Sequence, residues 1–187
     1  MSTVAATLTP HAASQANVIR KITVELNRTD SKRLHLRYLL EGDIARLFVP
    51  RDDEPIRTDE LWRRTCCEVF VRAETGERYY EYNLAPSTRW AAYRFNGYRN
   101  EMADVEVATP VISTEVEDWR FVLSADLDMD QLPHLPGDAS WLVSLSVVVE
   151  DLDGNVAWWA LTHPSLEPDF HNRRSFVLTL PEAGASA

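Results

Sequence analysis

Apolar residues recur at every second position along most of this chain, and that spacing limits its fold more than any other feature. Positions 141–150 read WLVSLSVVVE. On a strand, Trp141, Val143, Leu145, Val147 and Val149 share one face, and Leu142, Ser144, Ser146 and Val148 share the other. Ser144 and Ser146 then either face water or floor a groove. Similar runs predict strands at 19–26, 33–40, 44–49, 66–72, 79–84, 89–95, 105–114, 119–125, 155–161 and 175–180. Turn-forming residues separate them: Glu41-Gly42-Asp43, Thr75-Gly76, Ala85-Pro86-Ser87, Asn96-Gly97 and Asp153-Gly154. Helical character is confined to short turns near 58–62 and 128–132. About eleven short strands without crossover helices predict an all-β, two-sheet antiparallel sandwich of jelly-roll-like type.

The chain has 187 residues, 45% hydrophobic and 26% charged, enough for one well-buried domain and incompatible with wholesale disorder. We expect a single domain over 17–181 between Ala/Ser/Thr-rich tails at 1–16 and 182–187 that fray. The net charge of -10 works against nucleic acid, anionic membranes and polyanionic ligands, all of which reward clustered Lys and Arg. A neutral small ligand suits it better. No segment approaches the ~20 apolar residues of a membrane span, and the N-terminal stretch lacks a basic, then apolar, leader pattern, so a cytoplasmic protein is expected. Adjacent Cys66 and Cys67 point to opposite faces of one strand. They fit neither a disulfide nor a zinc site, and one is expected to be more buried than the other.

The richest segment is LWRRTCCEVFVRAETGERYYEYNLAPSTRWAAYRFNGYR at 61–99. A two-residue turn at Thr75-Gly76 and a four-residue loop at 85–88 would put Cys67, Val69 and Val71 with Tyr80, Tyr82 and Leu84, and with Ala91, Tyr93 and Phe95, on an apolar core face. The opposite face would carry three rows: Glu68, Asn83 and Trp90; Phe70, Glu81 and Ala92; Arg72, Tyr79 and Arg94. Two readings fit that face. It is a solvated surface on which Glu81 pairs with Arg94 or Arg72, or it is a binding surface. In the second, Trp90, Tyr79 and Phe70 stack on a ligand while Glu68, Glu81, Asn83 and Arg94 hydrogen-bond it, as a sugar requires.

A late Pro-punctuated loop carries His163, Asp169 and His171. His163 and His171 are expected to close one end of the binding face, with Asp169 contributing. Two His and an Asp also suit a transition metal, but their spacing matches no known ligand template. The Asp151/Asp153 and Asp126/Asp128/Asp130 runs lack the Glu that an EF-hand places twelve positions on. No nucleophile motif or phosphate loop is present, and no catalytic residue is assigned. Glu68 and Glu81 could act as a glycosidase pair, though nothing flanking them supports it.

At LWRRTCCEVFV, YYEYNLAPSTRWAAYRFNGYR and HPSLEPDFHNRRSF the chain resembles bacterial DOMON-like domains, relatives of family 9 carbohydrate-binding modules, over about 18–180. The resemblance implies a jelly-roll-like sandwich that binds a sugar or, in some branches, haem held by Met and His. Met102, His163 and His171 are the residues of those types here. The expected function is non-enzymatic binding of a carbohydrate or sugar-containing metabolite, with no cofactor. The alternatives are haem or metal binding and a protein-interaction module.

Overall fold

The computed structural model describes residues 3–50 and 54–182. Among them, the strands in chain order are β1 (Val4–Pro10), β2 (Ile19–Arg28), β3 (Arg33–Gly42), β4 (Cys66–Ala73), β5 (Tyr79–Leu84), β6 (Trp90–Phe95), β7 (Ala103–Asp104), β8 (Val111–Val116), β9 (Arg120–Asp128), β10 (Trp141–Glu150), β11 (Val156–Ala160) and β12 (Leu178–Leu180). Among the described residues every pairing between two of these strands is antiparallel, and Arg57 adds one parallel bridge to Trp90 of β6. Hydrogen bonding runs β7-β6-β5-β4-β10-β11-β1-β2-β3-β9-β8, with β12 added to β10. Strand β1 serves both layers: Val4 to Leu8 pair with β2, and Thr9 and Pro10 pair with β11. The path folds into a two-sheet antiparallel sandwich.

Alternation decides what lies between the layers. Ile22, Val24 and Leu26 of β2, Leu36, Tyr38 and Leu40 of β3, and Phe121, Leu123 and Ala125 of β9 meet Val69 and Val71 of β4, Tyr80 and Tyr82 of β5, and Val143, Leu145 and Val147 of β10 in one buried cluster. Each such aliphatic side chain contributes about 1.5–3 kcal/mol through burial. Two of these tyrosines satisfy their hydroxyls across the sandwich. Tyr38 donates to the Glu68 carbonyl at 2.8 Å, and Tyr82 to the Asp128 carbonyl at 3.4 Å.

Several expectations are corrected. The N-terminal segment is no frayed tail through Ala16, because Val4–Pro10 is a strand and Ala16 is buried; residues 1–2 and 183–187 lie outside the described residues. The run at 44–49 forms a 3-10 turn at Ile44–Arg46 with a single bridge from Leu47 to Asp151. The strand expected at 105–114 starts only at Val111. Both cysteines are buried and free, although they do face opposite ways.

The correction that matters most lies in the 61–99 segment. Pairs Glu68↔Asn83 and Phe70↔Glu81 hold in the anticipated register, but β5 and β6 pair as Tyr79↔Phe95, Glu81↔Tyr93 and Asn83↔Ala91. Strand β6 is therefore turned over relative to expectation. Ala91, Tyr93 and Phe95 join the face of Glu68 and Glu81, whereas Trp90, Ala92 and Arg94 lie on the opposite face. The cause is the connecting loop. The Ala85 amide donates to the Arg89 carbonyl at 2.9 Å and the Thr88 amide to the Ala85 carbonyl at 3.0 Å, which makes a three-residue loop with Thr88 left-handed at φ 64. Glycine normally takes that bulge position, so Thr88 gave no signal of it. A β-branched residue there is strained, and replacing it with glycine is expected to raise the unfolding free energy by about 1 kcal/mol, read from urea denaturation. A loss of stability would contradict this loop geometry.

Candidate functional site

The outer face of the β6-β5-β4-β10-β11 layer is covered, so most of its residues are buried on this side too, with Leu142, Val156 and Trp158 half-buried. Phe70, Tyr79, Ala91, Tyr93 and Phe95 pack with Phe176, and against Leu61, Trp62, Leu142 and Phe170. Trp62 comes from the 3-10 turn Leu61–Arg63, and Phe170 and Phe176 from the late loop. Between sheet and cover lies a cavity of about 360 Å³. Glu68 and Glu81 line it from the strands, with Val148 and Trp158 beside them. Trp62, Phe95, Arg99, Met102, Pro168, Phe170 and His171 complete the lining.

The two carboxyls are 2% and 4% exposed, and both have neutral hydrogen-bond partners. Ser146 donates its hydroxyl to Glu68 Oε2 at 2.7 Å, and Asn83 Nδ2 donates to Glu81 Oε1 at 2.7 Å. Ser146 lies opposite Glu68 in the ladder, which decides between its two sequence readings in favour of the groove. Burial pushes both carboxyls well above their ordinary range. For Glu68 the nearby Glu81 carboxylate adds to the effect, while Ser146 and Arg99 oppose it; for Glu81, Asn83 and Arg99 oppose it.

His171 organises the far wall. Its ring stands edge-on to Phe70 at 5.2 Å and to Phe95 at 5.1 Å. The Tyr79 hydroxyl lies 2.8 Å from its Nδ1 and accepts the Arg99 backbone N–H at 3.2 Å. A Tyr79 hydroxyl that accepts this N–H and donates its own proton to Nδ1 matches the imidazole in its Nε2–H tautomer. Nε2 then faces Glu81 Oε2 at 3.8 Å. Burial, with the Arg99 charge next, lowers the His171 pKa to about 4, so the ring is neutral. Asp169 ties this loop to the neighbouring one, accepting from Arg99 Nη2 at 3.1 Å, the Tyr98 hydroxyl at 3.0 Å and the His171 amide at 3.2 Å. Arg99 and Glu101 both sit at φ 50, a cost of roughly 1–3 kcal/mol each that the surrounding contacts hold in place.

Of the residues anticipated from sequence, Glu68, Glu81 and His171 line the cavity, and Phe70, Tyr79, Asn83 and Asp169 position them. Trp90 and Arg94 do not belong. Trp90 is part of the inter-sheet core and donates Nε1–H to the Pro55 carbonyl at 3.2 Å, and Arg94 lies on its side of β6. His163 is also elsewhere: its Nε2 is 2.7 Å from the Thr9 carbonyl and its ring packs on His11. That separation dismantles the His163, Asp169 and His171 set, and among the described residues no three His, Cys, Asp or Glu side chains are grouped to hold a metal ion. Arg72 pairs with neither Glu81 nor Glu68; its Nη1 donates to the carbonyls of Ala73, Glu74 and Gly76. Asp151 caps the β10-β11 hairpin, accepting from the Asp153 and Asn155 amides.

Sequence reading missed Trp62, Arg99, Trp158 and Phe170. Trp158 was within reach: the hairpin at Asp153-Gly154 sets Val148↔Trp158, on the face of Glu68. Trp62 and Phe170 arrive from irregular segments without periodicity.

No protein-family model matches the sequence, and no curated protein sequence matches it. Solved structures do. A Bacteroides uniformis protein provisionally assigned as carbohydrate-binding superposes with TM-score 0.64 at 14% identity, over 94% of this chain and 85% of that one. A family 9 carbohydrate-binding module from Caldicellulosiruptor kristjanssonii in complex with cellotriose superposes with TM-score 0.53 at 11% identity, over 96% and 83%. In complex with glucose the values are 0.51, 12%, 96% and 86%. At these identities the likeness is one of fold.

The buried carboxyls make stability depend on pH in a defined sense. Their folded pKa values lie above the unfolded value of about 4.3, so the folded chain binds more protons between the two. This contribution is full below that value and is lost as pH rises through the raised folded values. His171 acts oppositely, with stability lost as pH falls from about 6.5 toward 4. A Glu68→Gln variant is therefore expected to gain melting temperature over the parent progressively from about pH 5.5 to 8.5. A constant difference across that range would show that Glu68 does not titrate as its burial demands.

Proposed function

We propose that this protein is a non-catalytic binding domain for a carbohydrate or sugar-containing metabolite, and that the cavity over Glu68 and Glu81 is its site. The observation that carries the reading is the pairing of aromatic walls with fixed hydrogen-bonding groups in one small cavity. Trp62, Trp158, Phe95 and Phe170 offer ring faces and edges to the C–H surfaces of a pyranose, while Glu68, Glu81, Arg99 and His171 address its hydroxyls. A volume of about 360 Å³ falls at the low end of small-ligand sites, ~300–1,000 Å³, which favours a mono- or disaccharide. The sugar complexes of the family 9 module lend support through the shared fold. The DOMON-like resemblance belongs to the same proposal and rests on motif order.

Catalysis fits less well. A glycosidase needs its two carboxyls on either side of the scissile bond, whereas Glu68 and Glu81 rise from neighbouring strands of one floor. Haem fits less well still. Met102 and His171 do line the same cavity, but His171 spends Nδ1 on Tyr79 and directs Nε2–H at Glu81, and two buried carboxyls occupy the floor a macrocycle would cover.

Isothermal titration with glucose and cellotriose tests the reading. Binding is expected, with Trp158→Ala weakening it about tenfold, ~1.4 kcal/mol. No heat with either sugar, together with unchanged behaviour of Glu81→Ala, would remove the proposal.

A further inference from the structure

The cavity floor holds two buried carboxyls that ionise only at a cost. Buried carboxylates are ordinarily paired with a cation, yet among the described residues Ser146 and Asn83 are the only hydrogen-bonding partners of Glu68 and Glu81 inside the cavity. The nearest cationic candidates are committed elsewhere. Arg99 lines the cavity, but its guanidinium is engaged by Asp169 at 3.1 Å. His171 faces Glu81 at 3.8 Å as a neutral ring, its Nδ1 occupied by the Tyr79 proton. Arg72 is held on three backbone carbonyls on the far side of Phe70 and Tyr79 and stacks over Phe176 at 5.3 Å. The Cys66 thiol, raised by burial, brings no charge. Two acidic groups thus share one floor beneath aromatic walls, and the one cation that acts on both, Arg99, is hydrogen-bonded to Asp169 instead.

We infer that the ligand carries its own cation, an ammonium group seated between Glu68 and Glu81, so that within the sugar-binding reading the preferred class is an amino sugar rather than a neutral one. An –NH3⁺ has three donors, enough to reach Glu68, Glu81 and one further acceptor. Charge-assisted bonds to two carboxylates are about twice as strong as neutral ones, and the low dielectric that penalises the empty pair strengthens them. The indole and phenyl walls add attraction for a cation, which they give to a desolvated ammonium as readily as to a guanidinium. A sugar acid gains no such ionised pair, because its carboxylate disfavours deprotonation of Glu68 and Glu81. The chain's net charge of -10 adds long-range attraction of the same sign preference.

The inference rests on the proposed function, and its test separates the two. Isothermal titration at pH 6.5 compares glucosamine, N-acetylglucosamine, glucose and tetramethylammonium. The expected result is glucosamine at least tenfold tighter than glucose and N-acetylglucosamine. That ratio is expected to collapse toward one in Glu68→Gln and Glu81→Gln, whatever happens to glucose itself. Should a Gln variant fail to fold, the wild-type protein gives an independent readout. Titrations in two buffers of different ionisation enthalpy are expected to show protons released on binding glucosamine and none on binding glucose. Equal affinity for glucosamine and glucose overturns the ammonium assignment and leaves sugar binding intact. Binding of tetramethylammonium with no sugar bound supports the cation site and overturns the sugar reading, while no binding at all overturns both.

Discussion

Strand β4 is buried on both faces, and the rest of the site follows from that. A strand of a two-sheet sandwich normally alternates between core and water, but seven of the eight residues of Cys66–Ala73 are buried. Its inner residues Cys67, Val69 and Val71 belong to the core between the sheets. Its outer residues Cys66, Glu68, Phe70 and Arg72 are sealed by the late loop and the 3-10 turn that carries Trp62. Covering that second face takes Glu68 and Glu81 out of water, and desolvation turns two ordinary strand residues into carboxyls with raised proton affinity.

The cover is held by few contacts, each with several functions. Asp169 gathers Arg99, Tyr98 and the His171 amide, so one carboxylate joins the segment after β6 to the late loop. Tyr79 hydrogen-bonds the His171 ring and receives the Arg99 amide, and its ring stacks on Phe95 at 4.7 Å. Sheet, loop and cover are thereby tied together by hydrogen bonds and ring stacking. Such preorganisation lowers the ordering cost of binding, and the left-handed backbone at Arg99 and Glu101 is where part of that cost is already stored.

How far the sequence disclosed this can be followed residue by residue. The sandwich and the β4-β5 register were legible, because alternation is strict there and Gly76, at φ 86, marked the hairpin. The reading went astray one loop later, since Thr88 occupies a position where glycine would have revealed the bulge; a single uncounted residue exchanged Trp90 and Arg94 for Ala91, Tyr93 and Phe95. Strand β1 escaped notice because Val4–Pro10 alternates in small residues with little hydrophobic contrast. Trp62, Arg99 and Phe170 were beyond reach for another reason. They sit on irregular backbone whose course is set by tertiary contacts, and no local periodicity encodes those.

The fold does not account for Glu68 and Glu81. Each sits at a position where the pleat demands only that a side chain point outward, and the neighbours Phe70, Ala91 and Phe95 show what a chain built for stability alone would place there. Replacing buried charged groups with well-packed apolar ones is commonly neutral or stabilising, so two carboxyls hydrogen-bonded by only a serine and an asparagine are a standing cost to the sandwich. Nothing in the core needs them: Tyr38 bonds the backbone carbonyl of Glu68 rather than its side chain, and the β4-β10 ladder would form with any residue there. A cost without a structural return, placed at the floor of the aromatic-walled cavity, is what the proposed ligand would offset.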